Sequence, residues 1–264
     1  MSIISHIEQL PKNGQVYMGP IPDDLAPHWQ QFQAREQAFW QHKITQTDYQ
    51  PDPVANFSPF LIHWQIEPKF FQDKSVLEIG TGPFGFFAAI DQMDRASLPR
   101  ELVLMDPLMD FYQQFPLFDY MPDRGVRLQA PGEDIPFPDN LFDCVVTTNT
   151  IDHVADCETF LEEVKRVLKP NGTLLFSVHT VANFATTLKP AIKYLDKNHP
   201  YHFHQDDVQH LLDNSGFMLA QNVSVPMHKE NYIPGEATVV QKLIYAIGFR
   251  LMNTFYGIAT ISKK

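Results

Sequence analysis

The sequence predicts an α/β fold: a doubly wound, mostly parallel seven-stranded sheet with helices on both faces and a helical cap at the N-terminus. Three observations carry this. Short apolar runs bounded by turn residues recur from residue 73 onward, each separated from the next by a helix-like stretch. A glycine-rich turn joins the first of these runs to the segment after it. Residues 1–72 have another texture, rich in Pro, Gln and aromatics and without Val/Ile runs. Composition agrees with this reading. A chain of 264 residues, 44% hydrophobic and 19% charged, can bury a sizeable core as one large domain or a core with a cap.

Taken in order, Trp29, Phe32, Phe39 and Trp40 recur at helical spacing and predict an amphipathic helix over residues 27–43. Pro51 and Pro53 break the chain, and an apolar patch from Phe57 to Trp64 leads toward the core. Residues 1–72 therefore read as a cap and 73–264 as the core. The runs SVLEIG (75–80), ELVLMD (101–106), DCVVTT (143–148) and TLLFSV (173–178) read as short buried strands, with another starting at Val126. Asp156 to Leu168 reads as a helix with Phe160, Leu161, Val164, Val167 and Leu168 on one face. Asp156 suits its N-cap, Lys165 and Arg166 suit its C-terminal end, and Lys169-Pro170-Asn171-Gly172 should turn the chain. A helix over 205–215 closed by Gly216, a strand over 218–226, a helix over 236–252 and a strand over 256–263 complete the expectation.

Several classes are excluded. Acidic residues outnumber basic ones by 31 to 20, for a formal charge of -11, which leaves no footprint for a nucleic-acid backbone. Cys144 and Cys157 make neither a disulfide framework nor a zinc spacing. The opening MSIISHIEQLPKNG lacks the features of a signal peptide. The apolar stretch from Val239 to Phe255 is interrupted by Gln241, Lys242, Arg250 and Asn253, so no membrane span is expected and a cytoplasmic protein is.

The sharpest local signal is Glu78-Ile79-Gly80-Thr81-Gly82-Pro83-Phe84-Gly85, between a strand and an expected helix with Pro83 in its first turn. Glycines let the backbone turn tightly and a ligand approach closely, although a plain tight turn needs them too. G-T-G-P-F-G matches the dinucleotide fingerprint, and Asp106 ends the next strand 21 positions after Gly85, where a carboxylate can accept from both ribose hydroxyls. Two nucleotide readings therefore stand open. Glu78 separates them, because a buried carboxylate suits a ligand carrying an amino group and sits poorly beneath a pyrophosphate.

With these residues in view, the chain resembles the class I S-adenosylmethionine-dependent methyltransferases, a group with a Rossmann-like fold. The match continues through Glu133-Asp134-Ile135-Pro136-Phe137-Pro138-Asp139-Asn140-Leu141-Phe142-Asp143, then Asn149-Thr150-Ile151-Asp152-His153-Val154, then Glu163 to Gly172. It covers residues 74–180 well and the rest in outline. The resemblance implies that Val76–Gly85 wraps the methionine part of the cofactor, with Glu78, Gly80, Thr81 and Gly82 in contact, and that Asp106 holds the ribose. It also implies cofactor contacts from Asn149 and from Pro107 on the adenine face. Many relatives carry an Asp-Ala pair at the adenine edge where this chain has Pro131-Gly132. The Gly132 amide and the Glu133 carboxylate are the expected replacements.

Ligands of doubly wound sheets bind beyond the carboxyl ends of the strands. Asp152 and His153 follow the fourth strand and His179 ends the fifth, so all three are candidate catalytic residues for taking the acceptor's proton; a helix-capping role for His153 is the plainer reading. The cluster His199-Pro200-Tyr201-His202-Phe203-His204 has no metal-site spacing and is read as substrate contact or packing near the pocket mouth. Glu36 lies near the face of Phe32 and Trp40, where it meets a polar substrate group or stands as a rim carboxylate. The expected function is S-adenosylmethionine-dependent O-methylation of a small molecule at a hydroxyl, phenol or carboxylate, without metal, by a monomer or homodimer, with residues 1–72 and the insertion 181–204 setting specificity. An NAD-dependent oxidoreductase using the same loop and a non-catalytic cofactor-binding subunit are the alternatives.

Overall fold

A computed structural model describes residues 3–22, 27–45, 49–183, 185, 200–227 and 251–262. The N-terminal part holds α1 (Ile3–Ile7), β1 (Lys12–Asn13), β2 (Val16–Met18), α2 (Pro27–Ile44) and α3 (Pro53–Trp64). Then come β3 (Ser75–Ile79), α4 (Phe87–Asp94), β4 (Glu101–Met105), α5 (Met109–Tyr112), β5 (Val126–Gln129) and β6 (Phe142–Thr148). The chain continues through α6 (Cys157–Val167), β7 (Leu168–Val181), α7 (Gln205–Asn214), β8 (Phe217–Pro226) and β9 (Met252–Ile261). One nine-stranded sheet runs in the order β1-β2-β5-β4-β3-β6-β7-β9-β8.

The seven expected strands are all present, and the five from β5 to β7 are parallel neighbours. β9 inserts antiparallel between β7 and β8. From β3 the chain moves to β4 on one side and later to β6 on the other. The crevice between those two directions is where a doubly wound sheet takes its ligand. Alternate residues of the buried strands face opposite layers: Leu77 and Ile79 join the core under α6 and α7, while Val76 joins the one under α3 and α4. On α6, Phe160, Leu161, Val164 and Val167 are all fully buried, and Asp156 Oδ1 caps the helix by accepting from the Glu158 and Thr159 amides at 2.9 and 3.1 Å. Such a cap contributes about 1 kcal/mol, and each large apolar side chain about 1.5–3 kcal/mol.

Several expectations are corrected. The hairpin β1–β2 lies in the stretch read as having no strand, and β2 extends the sheet by pairing parallel with β5. Helix α4 starts at Phe87 instead of Pro83, because Gly82 and Gly85 both take positive φ and a right-handed helix cannot run through them. The expected Lys169–Gly172 turn is absorbed as a bulge at the start of β7, between the pairs Phe142–Leu168 and Cys144–Thr173. Met252, expected to end a helix, opens β9. Residues 236–250 of that helix, residues 184 and 186–199 of the 181–204 insertion with His199, and the side chains of Trp29 and Phe32 lie outside the described residues.

Residues 1–72 do not act as a single layer. Ile3, Ile7, Val16, Phe60, Leu61, Trp64 and Phe71 are buried with the core. The Trp64 indole donates to the Phe176 carbonyl of β7 at 3.1 Å and packs on Phe86 at 5.5 Å between ring centres. Helix α2 reaches the loop after β3, where the Trp40 ring lies 3.8 Å from the Cβ position of Gly82, while Phe39 is exposed. No helix among the described residues is long and apolar enough to cross a membrane.

Candidate active site

Each glycine of the loop after β3 has its own reason. Gly80 (φ +73°) donates to the Met105 carbonyl at 2.8 Å, and a Cβ there would sit 2.1 Å from Thr150 Oγ1. Gly85 (φ +73°) lies against Glu78, whose two oxygens would be 3.1 Å from an added Cβ. At Gly82 (φ +59°) the nearest group is the Trp40 ring, at 3.8 Å. Gly80 and Gly85 are thus fixed by protein neighbours, and Gly82 lies at ordinary contact distance beneath the Trp40 ring. Thr81 is 5% exposed, and its hydroxyl donates to the Gly82 carbonyl at 3.1 Å.

Glu78 is 1% exposed and serves the loop itself. Its oxygens accept from the Phe86 amide at 2.6 Å and the Phe87 amide at 3.4 Å, capping α4 through space. Burial pushes this carboxyl up to about 8; the two amides pull the other way, and the charge of Asp106 adds to the rise. Sequence reasoning aimed Glu78 at a ligand's amino group. In the structure it braces the loop that would surround that group.

Asp106 directly follows β4 and ties the ends of β3 and β4 together through the loops that leave them. One oxygen accepts from the Gly82 amide at 2.9 Å and the other from the Leu108 amide at 2.8 Å. Burial raises its carboxyl to about 6, against the two amides, and Glu36 adds like-charge repulsion. A carboxylate offers about four lone-pair sites, so both oxygens keep capacity toward a diol. Pro107 follows, half-buried beside the acid.

At the expected adenine edge, Gly132 is held by packing: a Cβ would meet the Phe160 ring at 2.6 Å. Glu133 is engaged elsewhere than expected, since its Oε1 accepts from the Ala155 amide at 2.6 Å and so anchors the loop after β6. Tyr201 donates to the Ala155 carbonyl at 2.7 Å from the other side. Asn149 takes positive φ (52°), and its amide and side chain both bond Ser177 of β7. The 133–143 stretch proves largely architectural. Arg166 donates to the Ile135 and Phe137 carbonyls at 2.8 and 2.6 Å, and Glu163 accepts from the Ile135 amide at 2.8 Å.

Of the three candidate proton-transfer residues, the structure brings one to the crevice beside α2. His153 Nδ1 lies 3.9 Å from Glu36 Oε2. Asp152 is 1% exposed and turned inward, where its charge raises the Cys157 thiol further after burial has done so. His179 does not end its strand: it pairs with Thr254 inside the β7–β9 ladder, with Nδ1 3.4 Å from the Thr254 hydroxyl. Sequence reasoning missed Thr150, which forces the glycine at position 80, and Tyr112, which stands edge-on to Trp40 with ring centres 6.3 Å apart. Nothing local in the sequence marks either residue.

A family model described as a methyltransferase domain matches residues 52–222. The ubiquinone/menaquinone biosynthesis C-methyltransferase UbiE of Vibrio cholerae is 38% identical over 92 residues, which is 33% of this chain and 32% of that protein. The match thus spans about a third of the length of this curated relative. Among solved structures, a candidate methyltransferase from Bacillus halodurans superposes with a TM-score of 0.59 at 17% identity, covering 79% of this chain and 100% of that one. A candidate sarcosine dimethylglycine methyltransferase from Galdieria sulphuraria superposes with a TM-score of 0.61 at 12% identity, covering 86% and 98%. At these identities the likeness is one of fold.

Proposed function

The chain belongs to the class I S-adenosylmethionine-dependent methyltransferases, and from that premise we propose that it methylates a small organic acceptor carrying an ionisable hydroxyl, at oxygen. The single observation that carries the reading is Asp106 beside Gly82. A carboxylate just after β4 is bonded to the one glycine of this loop whose added Cβ would meet nothing closer than ordinary van der Waals contact, the Trp40 ring at 3.8 Å.

The residues present fit the cofactor. Asp106 keeps acceptor capacity for a ribose diol, Gly82 is the loop glycine with room at van der Waals distance, and the carboxylates of Asp106 and Glu36 suit a cationic ligand. When bound, S-adenosylmethionine supplies an electrophilic methyl group on a sulfonium. The chain's own contribution is holding and orienting the reactants, together with proton handling at the acceptor. Trp40 of α2 screens the glycine loop from water, and His153 stands where an acceptor hydroxyl can lose its proton. A base so positioned typically contributes about 10²–10⁴-fold.

A second reading has one specific support: the UbiE relatives are C-methyltransferases by name. A carbon beside a phenolic hydroxyl also becomes nucleophilic when the hydroxyl proton leaves, so the same site serves both outcomes. The deciding experiment is a methyl-transfer screen against phenols, hydroxy acids and quinols, with product structures assigned by NMR. Products methylated at oxygen support the proposal; methylation at ring carbon favours the second reading. His153→Ala should lower turnover by about 10²-fold or more while leaving cofactor binding intact. A loss below threefold would remove histidine base catalysis.

A further inference from the structure

Helix α2 brings one acidic side chain into the crevice, and its two oxygens face two different partners. Glu36 Oε1 accepts from the Trp40 indole at 2.8 Å, one turn further along the same helix. Oε2 points to His153 Nδ1 at 3.9 Å, across the gap to the loop after β6. The relative exposures are 27% for His153 and 35% for Glu36, so solvent reaches the pair from one side.

Both ends of this contact are held. On one side, Trp40 packs between Tyr112 and the glycine loop, with its ring 3.8 Å from the Cβ position of Gly82. On the other, the histidine's loop is fixed by the His153 amide donating to the Thr150 carbonyl at 2.8 Å, and by Glu133 and Tyr201 gripping Ala155. The pair therefore spans the cofactor side and the acceptor side of the crevice. Glu36 also acts on Asp106, Tyr112 and Lys43 through its charge, which puts it at the centre of the ionisable groups lining this end of the sheet.

We propose that Glu36 is the positioning residue for His153, a carboxylate–imidazole pair completed by the N-terminal helix. This rests on the methyl-transfer reading above. Glu36 takes the Nδ1 proton as hydrogen-bond acceptor, which leaves the Nε2 lone pair to receive the acceptor's proton. As the acceptor oxygen bonds the methyl carbon, the methyl–sulfur bond breaks and its electron pair leaves on the neutral thioether product; the acceptor's O–H proton moves to Nε2, and the imidazolium is balanced by the Glu36 carboxylate. The proton then passes to solvent, and the neutral imidazole returns with Nδ1–H still toward Glu36. At 3.9 Å the contact is an ion-pair distance; catalytic contacts of this kind shorten to hydrogen bonds when the reactants bind. The helix that covers the cofactor loop thereby also assembles the base, so covering and activation are one event.

The first test needs no acceptor. The ¹⁵N shifts of His153 in the full-length chain report which ring nitrogen carries the proton. The wild-type chain should hold mainly the Nδ1–H tautomer, and Glu36→Ala should at least halve that fraction. An unchanged tautomer ratio overturns the pairing. The second test is a double-mutant cycle on kcat, using Glu36→Gln, which keeps an oxygen for the Trp40 indole. Glu36→Gln should lose about tenfold or more and His153→Ala more still, while the double variant should lose no more than His153→Ala alone. Losses that multiply instead would contradict a shared role. Failure of the wild-type chain to bind S-adenosylmethionine would strike the underlying reading, and the tautomer measurement would still judge the pair.

Discussion

Asp106 and Gly80 show how much depends on single atoms in this crevice. The Asp106 carboxyl, raised to about 6 by burial, is partly protonated in mildly acidic solution. A ribose diol donates to the ionised form, and a cationic cofactor favours it as well. Affinity for S-adenosylmethionine should therefore rise as pH climbs from about 5 to 7 and level off above, and titration across that range reads it. A flat profile would mean that the acid does not touch the ligand. Gly80→Ala meets two obstacles, a left-handed φ of +73° and Thr150 Oγ1 at 2.1 Å from the new methyl. The strain alone is worth about 1–3 kcal/mol, so chemical denaturation should show at least that loss, and Thr150→Ser should relieve none of the hydroxyl clash. These glycines were legible in the sequence because positive φ and close approach leave few substitutes. The partners of Glu78 and Glu133 were not, since a carboxylate can be recognised as buried without revealing which amide it serves.

Among the elements, α2 and the β1–β2 hairpin carry different duties although they lie in one stretch of chain. Helix α2 was legible from its aromatic spacing. Its docking was not, because Phe39 faces solvent while Trp40 covers Gly82. The hairpin was missed although Asn13 leads into its two-residue turn and Gly14, the first turn residue, takes φ +56°. Strands of two and three residues with little Val or Ile give almost no periodic signal. Truncation of residues 1–45 would remove Ile3, Ile7 and Val16, all at most 1% exposed. The shortened chain should lose several kcal/mol, at about 1.5–3 kcal/mol for each buried aliphatic, which thermal unfolding would register. Trp40→Ala is the cleaner probe of the cover. With the indole gone, S-adenosylmethionine should associate faster in rapid-mixing experiments, while the unfolding midpoint stays within a few degrees. An unchanged association rate would show that the ring does not screen the loop.

At the scale of the whole molecule, the parallel core was read well because buried strands are continuous apolar runs. The order of neighbours in the sheet and the service role of residues 133–172 came only from the fold, since Arg166 and Glu163 act through backbone carbonyls and amides far away in sequence. The same buried acids set a global pH response. Glu78 sits near 8 when folded and near 4.5 in a model peptide, so folding takes up a proton between those values. Its contribution to stability therefore grows as pH falls from about 8 toward 5, and Glu78→Gln should flatten that part of the unfolding profile. Asp143 works in the opposite sense. Its carboxyl, although partly desolvated, is held below the usual range by Lys169 and the Ser75 amide, so its stabilisation is lost at lower pH.

The central claim is that Gly82 and Asp106 form the seat of a methyl-donor cofactor, and calorimetric titration of the full-length chain tests it most directly. Wild-type protein should bind S-adenosylmethionine and its demethylated product and show no heat with NAD. Asp106→Ala should lose two charge-assisted hydrogen bonds of about 1.5–3 kcal/mol each, and so at least tenfold in affinity. Equal binding of NAD, or an Asp106→Ala variant that titrates like the wild type, would contradict it.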